Sequence, residues 1–312
     1  MSEKIRNYLA EKPVLKGYLF AFLATLGMAN VYVFSKAAMA ELSIIQFGFY
    51  WFGLAMFWSL VYMIISTRIK LIKYLDRKSR KILILIGLLE LLASVTMFMS
   101  IRVVENPAVV SFLSNLTPIF VTILGISFLA ERFNLYEGIG ILLTVTGAVL
   151  ISHSGQGKLS EIFIEGTGLI VMSSFFLSLS IILAKYRIRE IHPSILMINR
   201  IVYLFLLSLI MLLLTGQSIS ISPTAMFNVA MGSLLGPFMT AMAQYSALKY
   251  IEASRTMIVQ STRGLFVAIG AIIYLGILPT RMQIIGGTIT ILGVIVIATG
   301  RMVLERIRRK QG

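Results

Sequence analysis

Apolar residues fall in long runs along this chain, and the segments between the runs carry nearly all of its charge. Ten runs stand between charged or Gly/Pro breaks: Gly17–Ser35, Ile44–Ser66, Ile82–Ile101, Ala108–Ala130, Gly138–Ser152, Gly166–Ala184, Ser194–Thr215, Ala225–Ala247, Thr256–Ile277 and Ile284–Gly300. A helix needs about 20 mostly apolar residues to cross the hydrocarbon core of a bilayer, and most of these runs have that length. The pattern predicts an all-α integral membrane protein of ten transmembrane helices. The fifth run is short, which suits a helix at the periphery or one partly shielded by neighbours.

The polar gaps then set the orientation. Only Lys36, Arg102, Lys158 and Arg281 fall in the gaps on one side, and Arg200 and Arg263 fall within runs. The other 22 of the 28 basic residues lie on the side of the two termini. Lysine and arginine are retained on the cytoplasmic face, so the expectation is an inner-membrane, multi-pass protein with both termini cytoplasmic. The basic stretch Arg68–Lys81 also carries Ile69, Leu71, Ile72 and Leu75, a spacing suited to lying on an anionic leaflet. The charged leader Met1–Lys16 precedes a first run long enough to remain as an anchor rather than be cleaved.

The two halves of the chain match. With an offset of 146, Phe120–Ile151 falls on Phe266–Ile297 with ten of 32 positions identical, among them Gly140/Gly286, Thr144/Thr290 and Gly147/Gly293. An offset of 147 places Phe98, Arg102 and Glu105 on Tyr245, Lys249 and Glu252. Five runs per half is an odd number, so the second copy enters the membrane upside down. The expected organisation is a first five-helix repeat over 1–152 and an inverted second one over 153–312. Inverted repeats supply two related conformations, each open to one side, with a site near the midplane.

Certain residues resemble the drug/metabolite transporter superfamily, specifically its EamA-type ten-helix members. The stretch Ala108-Val-Val-Ser-Phe-Leu-Ser-Asn-Leu-Thr-Pro118, followed by Phe120, Gly125 and Leu129-Ala-Glu131-Arg132, looks like that family's fourth-helix signature. Gly138, Gly140 and Gly147 follow as in its fifth helix, Gly27-Met-Ala-Asn30 with Ser35-Lys36 resembles its first-helix ending, and Arg200 sits where the family often has an arginine. The resemblance implies transport by alternating access, efflux as the commoner direction, and a cavity that helices 3 and 9 face. The second half departs from the pattern: Gly264 replaces Pro118, Ile277 replaces Glu131, and Arg263 aligns with Thr117.

Composition excludes several other classes. The chain is 58% hydrophobic and 13% charged, with a mean hydropathy of +0.90, too apolar for a soluble domain. Its net charge of +15 is spread through the gaps, which argues against nucleic acid as a partner. It has no cysteine and two histidines, His153 and His192, in separate gaps, so no metal or other cofactor is expected. No phosphate-binding Gly-Lys-Ser/Thr loop and no nucleophile–base set are visible, so neither ATP hydrolysis nor an enzyme is expected.

Ionisable residues at bilayer depth cost roughly 3 kcal/mol or more and are functional candidates by default. Glu90 lies in the middle of the third run and Arg263 some way into the ninth. They can hold the two poles of a substrate, or Glu90 can carry a coupling proton; alternatively they pair with each other, or Arg263 reaches back to the headgroups. Asn30, Asn115, Gln244, Gln260 and Tyr245 can hydrogen-bond a solute or join helices. Trp51 reads as packing or stacking, Pro118 and Pro237 as kinks, and the Gly138/Gly140/Gly147 and Gly286/Gly287/Gly293 sets as close helix contacts. The reading is a secondary transporter, most often an exporter, of a small polar metabolite such as an amino acid or organic anion. Its partners are that solute and membrane lipids, and a homodimer is compatible with the chain. A flippase for a lipid or lipid-linked sugar and a non-transporting membrane sensor or assembly protein are the alternatives.

Overall fold

The protein is described by a computed structural model covering residues 13–103, 114, 116–131, 135–152, 166–275, 281–282, 284–293 and 295–296. The regular structure of these residues is helical throughout: α1 (Pro13–Met39), α2 (Ile44–Ile65), α3 (Arg77–Val103), α4 (Leu116–Leu129), α5 (Leu135–Ser152), α6 (Thr167–Tyr186), α7 (Pro193–Thr215), α8 (Pro223–Leu248), α9 (Ala253–Tyr274) and α10 (Ile284–Gly293). Seven of them, α1–α3 and α6–α9, are long and apolar enough to cross a membrane. The apolar stretches of α4, α5 and α10 are shorter. Large side chains such as Ile64, Leu213 and Ile273 are mostly exposed, an arrangement that suits lipid rather than water.

Local chemistry sets the helix ends. Ser43 and Gln46 form a reciprocal capping box at the start of α2, where Gln46 N–H donates to Ser43 Oγ (3.2 Å) and Ser43 N–H to Gln46 Oε1 (3.1 Å). Ser222 accepts from Ala225 N–H (3.0 Å) to open α8, with Pro223 in the first turn, and α7 opens on His192-Pro193 and stops at Gly216, which has a φ of +60°. Pro118 lies in the first turn of α4, where its ring removes no helical hydrogen bond. Pro237 lies inside α8, and there the helix loosens into a π-helical stretch over Leu234–Thr240. Between α2 and α3 the basic stretch forms a short 3-10 helix, Arg68–Tyr74, with Ile69, Leu71 and Ile72 exposed.

The contacts between helices have a two-fold pattern. α3 packs on α6 as α8 packs on α1; α4 packs on α6 as α9 packs on α1; α3 meets α7 as α8 meets α2. Each pairing turns into its counterpart when every helix is exchanged for the one five places away. α2–α7 and α4–α9 are contacts between such equivalents. α5 and α10 show the symmetry at atomic detail. A Cβ on Gly147 would lie 2.2 Å from Thr290 Oγ1, and one on Gly293 would lie 2.4 Å from Thr144 Oγ1. These are the two residue pairs that the 146 offset aligns, and both glycines are needed for the backbones to approach so closely.

Candidate functional site

A cavity opens between the helices of both halves. α1 contributes Met28, Val31 and Tyr32, α3 contributes Ala93, Ser94, Met97 and Phe98, and α6 contributes Ser173, Ser174 and Leu177. Ser114 and Thr117 face it from the start of α4, Arg200 from α7 and Arg263 from α9. Thr117 and Arg263 are repeat equivalents, so the same position in each half meets the same cavity, once as a hydroxyl and once as a cation.

Arg263 lies just after a break in α9. The helical ladder tightens there to Thr262 N–H→Val259 O and Leu265 N–H→Thr262 O (both 3.1 Å), while the Thr262 hydroxyl donates to Val259 O (2.8 Å). The side chain is 6% exposed and its Nε has no hydrogen-bond partner. Among the described residues its guanidinium makes no ion pair.

Glu90 is fully buried, and its partner is Arg200 rather than Arg263. Ser180 and Tyr245 hydroxyls donate to Glu90 Oε1 at 2.8 and 3.0 Å. Arg200 Nε lies 3.2 Å from Oε2, close enough for an ion pair, but its N–H is not aimed at that oxygen and neither atom gains a hydrogen bond. Facing surfaces make this meeting possible. Gly87, one turn before Glu90, leaves space for the ring of Tyr203, one turn after Arg200; a Cβ there would come within 2.4 Å of that ring. Asn199 also donates to Leu83 O (2.9 Å), tying α7 to α3 beside Arg200. Arg200 was not among the sequence-based site candidates. Its signal was a charge in an apolar run opposite one that also held a buried acid.

The remaining candidates scatter. Tyr245 touches the cluster through its hydroxyl but does not line the cavity. Asn30 donates to Leu26 O (2.9 Å) within its own helix. Gln244 and Gln260 are buried, each with an unpartnered Nε2, and neither lines the cavity. Asn115 lies outside the described residues, as does His153. Trp51 is buried in the core against Gly232.

A second charged cluster joins the connections at one end of the bundle, here called the basic end. Glu131 follows α4 through Ala130, whose φ of +51° turns the chain back. Its carboxylate accepts from the backbone N–H groups of Ala253 (2.7 Å) and Ser254 (3.2 Å) and from the Ser254 hydroxyl, so it caps the start of α9. Lys185 Nζ donates to Leu248 O and Ile251 O, both at 2.6 Å, at the end of α8. Arg187 pairs with Glu190, donates to Ser79 Oγ (3.1 Å) and approaches Asp76 Oδ2 (3.5 Å) across the bundle. The side chain of Ser79, with its amide and Arg187, holds the Asp76 carboxyl below its ordinary range against a modest desolvation. His192 is pushed down to about 4, first by desolvation and then by Arg68 and Lys249. Its Nδ1 accepts from Ser194 N–H (3.2 Å), as a neutral ring can. Among the described residues no group of His, Asp and Glu side chains could hold a metal ion.

Comparison with known proteins gives these features a family. A crystal structure of a protein aligns with 93% of this chain and 98% of its own at a TM-score of 0.76, with 13% identity, which speaks to the fold alone. An uncharacterized transporter of Methanothermobacter thermautotrophicus is 28% identical over 229 residues, spanning 72% of this chain and 66% of that relative. The EamA-like transporter family matches twice, over residues 15–153 and 165–299, so the chain is built of two such repeats. It is a membrane protein with multiple apolar helices, and it belongs to the EamA-like transporter family.

Proposed function

We propose that the protein is a secondary transporter that carries a small polar metabolite, an amino acid or an organic anion, by alternating access, with export as its direction. In this reading ten helices cross the inner membrane as two inverted repeats, 1–152 and 153–312, with both termini in the cytoplasm. The protein acts as a carrier and not as an enzyme. The observation that supports it most is the cavity between the two halves, where the buried guanidinium of Arg263 faces open space with no partner among the described residues. A buried charge left unpaired costs several kcal/mol unless something arrives to neutralise it, and a solute does so transiently. The π-helical stretch of α8 and the break before Arg263 are local weaknesses about which one half can move against the other.

The test is solute exchange in proteoliposomes containing the purified protein, with empty liposomes and the Arg263→Gln variant in parallel. The reading expects saturable uptake of at least one metabolite class by the wild type and none by the variant. Lipid scrambling without movement of any soluble metabolite would replace it with the flippase reading.

A further inference from the structure

We infer that the solute is an organic anion without a compensating ammonium group, its anionic oxygens seated on Arg263, and that zwitterionic amino acids are rejected. This rests on the reading that the cavity is the transport site. The cavity is lined by two guanidinium groups and, among its described residues, by no carboxylate. Among the described residues Glu90 is the acidic side chain that reaches the cluster, and it is already committed: Oε1 takes two hydroxyl donors and Oε2 faces Arg200. Glu90 thus balances Arg200 and leaves the cluster one positive charge in excess, on Arg263.

A monoanion cancels that charge; a zwitterion leaves it in place and adds an ammonium that needs a buried acceptor of its own. The lining's hydroxyl groups, on Tyr32, Ser94, Ser114, Thr117, Ser173 and Ser174, are neutral acceptors and cannot balance the charge of an ammonium. Val31, Met97, Phe98 and Leu177 form a wall suited to a carbon body rather than to a second charge. A planar guanidinium with several donors accepts either a carboxylate or a phosphate in bidentate fashion, so the class is defined by the anionic oxygens.

The experiment uses matched pairs that differ by the ammonium group: 3-phenylpropionate against phenylalanine, glutarate against glutamate, and propionate against alanine. Glycerol 3-phosphate is added to separate phosphate from carboxylate recognition. Each is tested for thermal stabilisation of the detergent-purified protein and for exchange in proteoliposomes. The desamino or phosphate member of at least one set should stabilise the wild type, with its amino counterpart binding at least about 10-fold more weakly, a gap of about 1.4 kcal/mol. Arg263→Gln should abolish the shift and Arg263→Lys should retain part of it. The lysine variant keeps the charge, so it carries the test if the glutamine variant does not fold. Equal or tighter binding of the amino acid overturns the inference, as does a shift that survives in Arg263→Gln or the absence of any shift. Amino-acid exchange by the wild type would overturn it while leaving the transporter reading intact; failure to move any solute would remove both.

Discussion

The cavity cluster and the basic end use the same residue types and treat them in opposite ways. At the basic end Glu131 and Lys185 meet backbone groups that the fold itself leaves unsatisfied. Glu131 takes the first amides of α9, and Lys185 takes the carbonyls of Leu248, the last residue of α8, and of Ile251 in the connection, so two side chains close both sides of the α8–α9 junction. Beside the cavity Glu90 and Arg200 face each other without a directed hydrogen bond, and among the described residues Arg263 has no partner. A fully satisfied charge holds a structure in place; a half-satisfied one is available to something that comes and goes.

The largest expected effect comes from breaking the Glu90–Arg200 pair beside the cavity. Arg200→Met leaves Glu90 as an uncompensated buried carboxylate and should cost about 3–5 kcal/mol, read as an earlier midpoint in detergent-denaturation unfolding. Adding Glu90→Gln to the same chain should recover most of the loss, because the pair and not either charge alone is what the helices accommodate. A double variant as unstable as the single one would mean that Arg200 supports the bundle by some other contact.

Glu131→Gln comes next. It weakens a charged cap on two buried amides and a hydroxyl, and should destabilise by roughly 2–3 kcal/mol. Transport per folded molecule should stay close to wild type, which distinguishes this charge from those in the cavity. Arg263→Gln should do the reverse: removing an uncompensated buried charge should leave the unfolding midpoint unchanged or raise it, by up to about 3 kcal/mol, while exchange is lost. A large loss of stability in Arg263→Gln would end the contrast, since it would show the guanidinium to be structural.

Much of the fold was legible because membrane helices announce themselves by length and apolarity, and the repeat by its shared Gly147/Gly293 and Thr144/Thr290 positions. The repeat comparison also pointed at the site. Of its three departures, Thr117 against Arg263 falls where both residues line the cavity. What could not be read was which charges meet. Glu90 and Arg200 stand 110 positions apart on different helices, and only the approach permitted by Gly87 against Tyr203 brings them together. Glu131 looked like a family mark; its role as a cap on a helix from the other half depends on Ala130 adopting a left-handed turn, which its residue type does not suggest.

The smallest predicted effect separates the two clusters by pH. The His192 ring titrates at about 4 in the folded protein and ordinarily near 6.5, so between those values the unfolded chain binds more protons. Stability therefore rises with pH across that window and is lost as pH falls from about 6.5 towards 4, where the folded ring also becomes charged and Nδ1 can no longer accept from Ser194 N–H. The ring is half-buried, so solvent screening keeps the contribution to about 1 kcal/mol or less. Unfolding midpoints of the wild type and His192→Asn, which keeps a capping side chain without the titration, should diverge above pH 6.5 less than they do at pH 5, with the wild type losing more on acidification. Equal slopes for the two proteins would show that the His192 ring does not set acid sensitivity in this window, where Asp76 does not act either. Its depressed pKa makes it lose stability only below the ordinary carboxylate range.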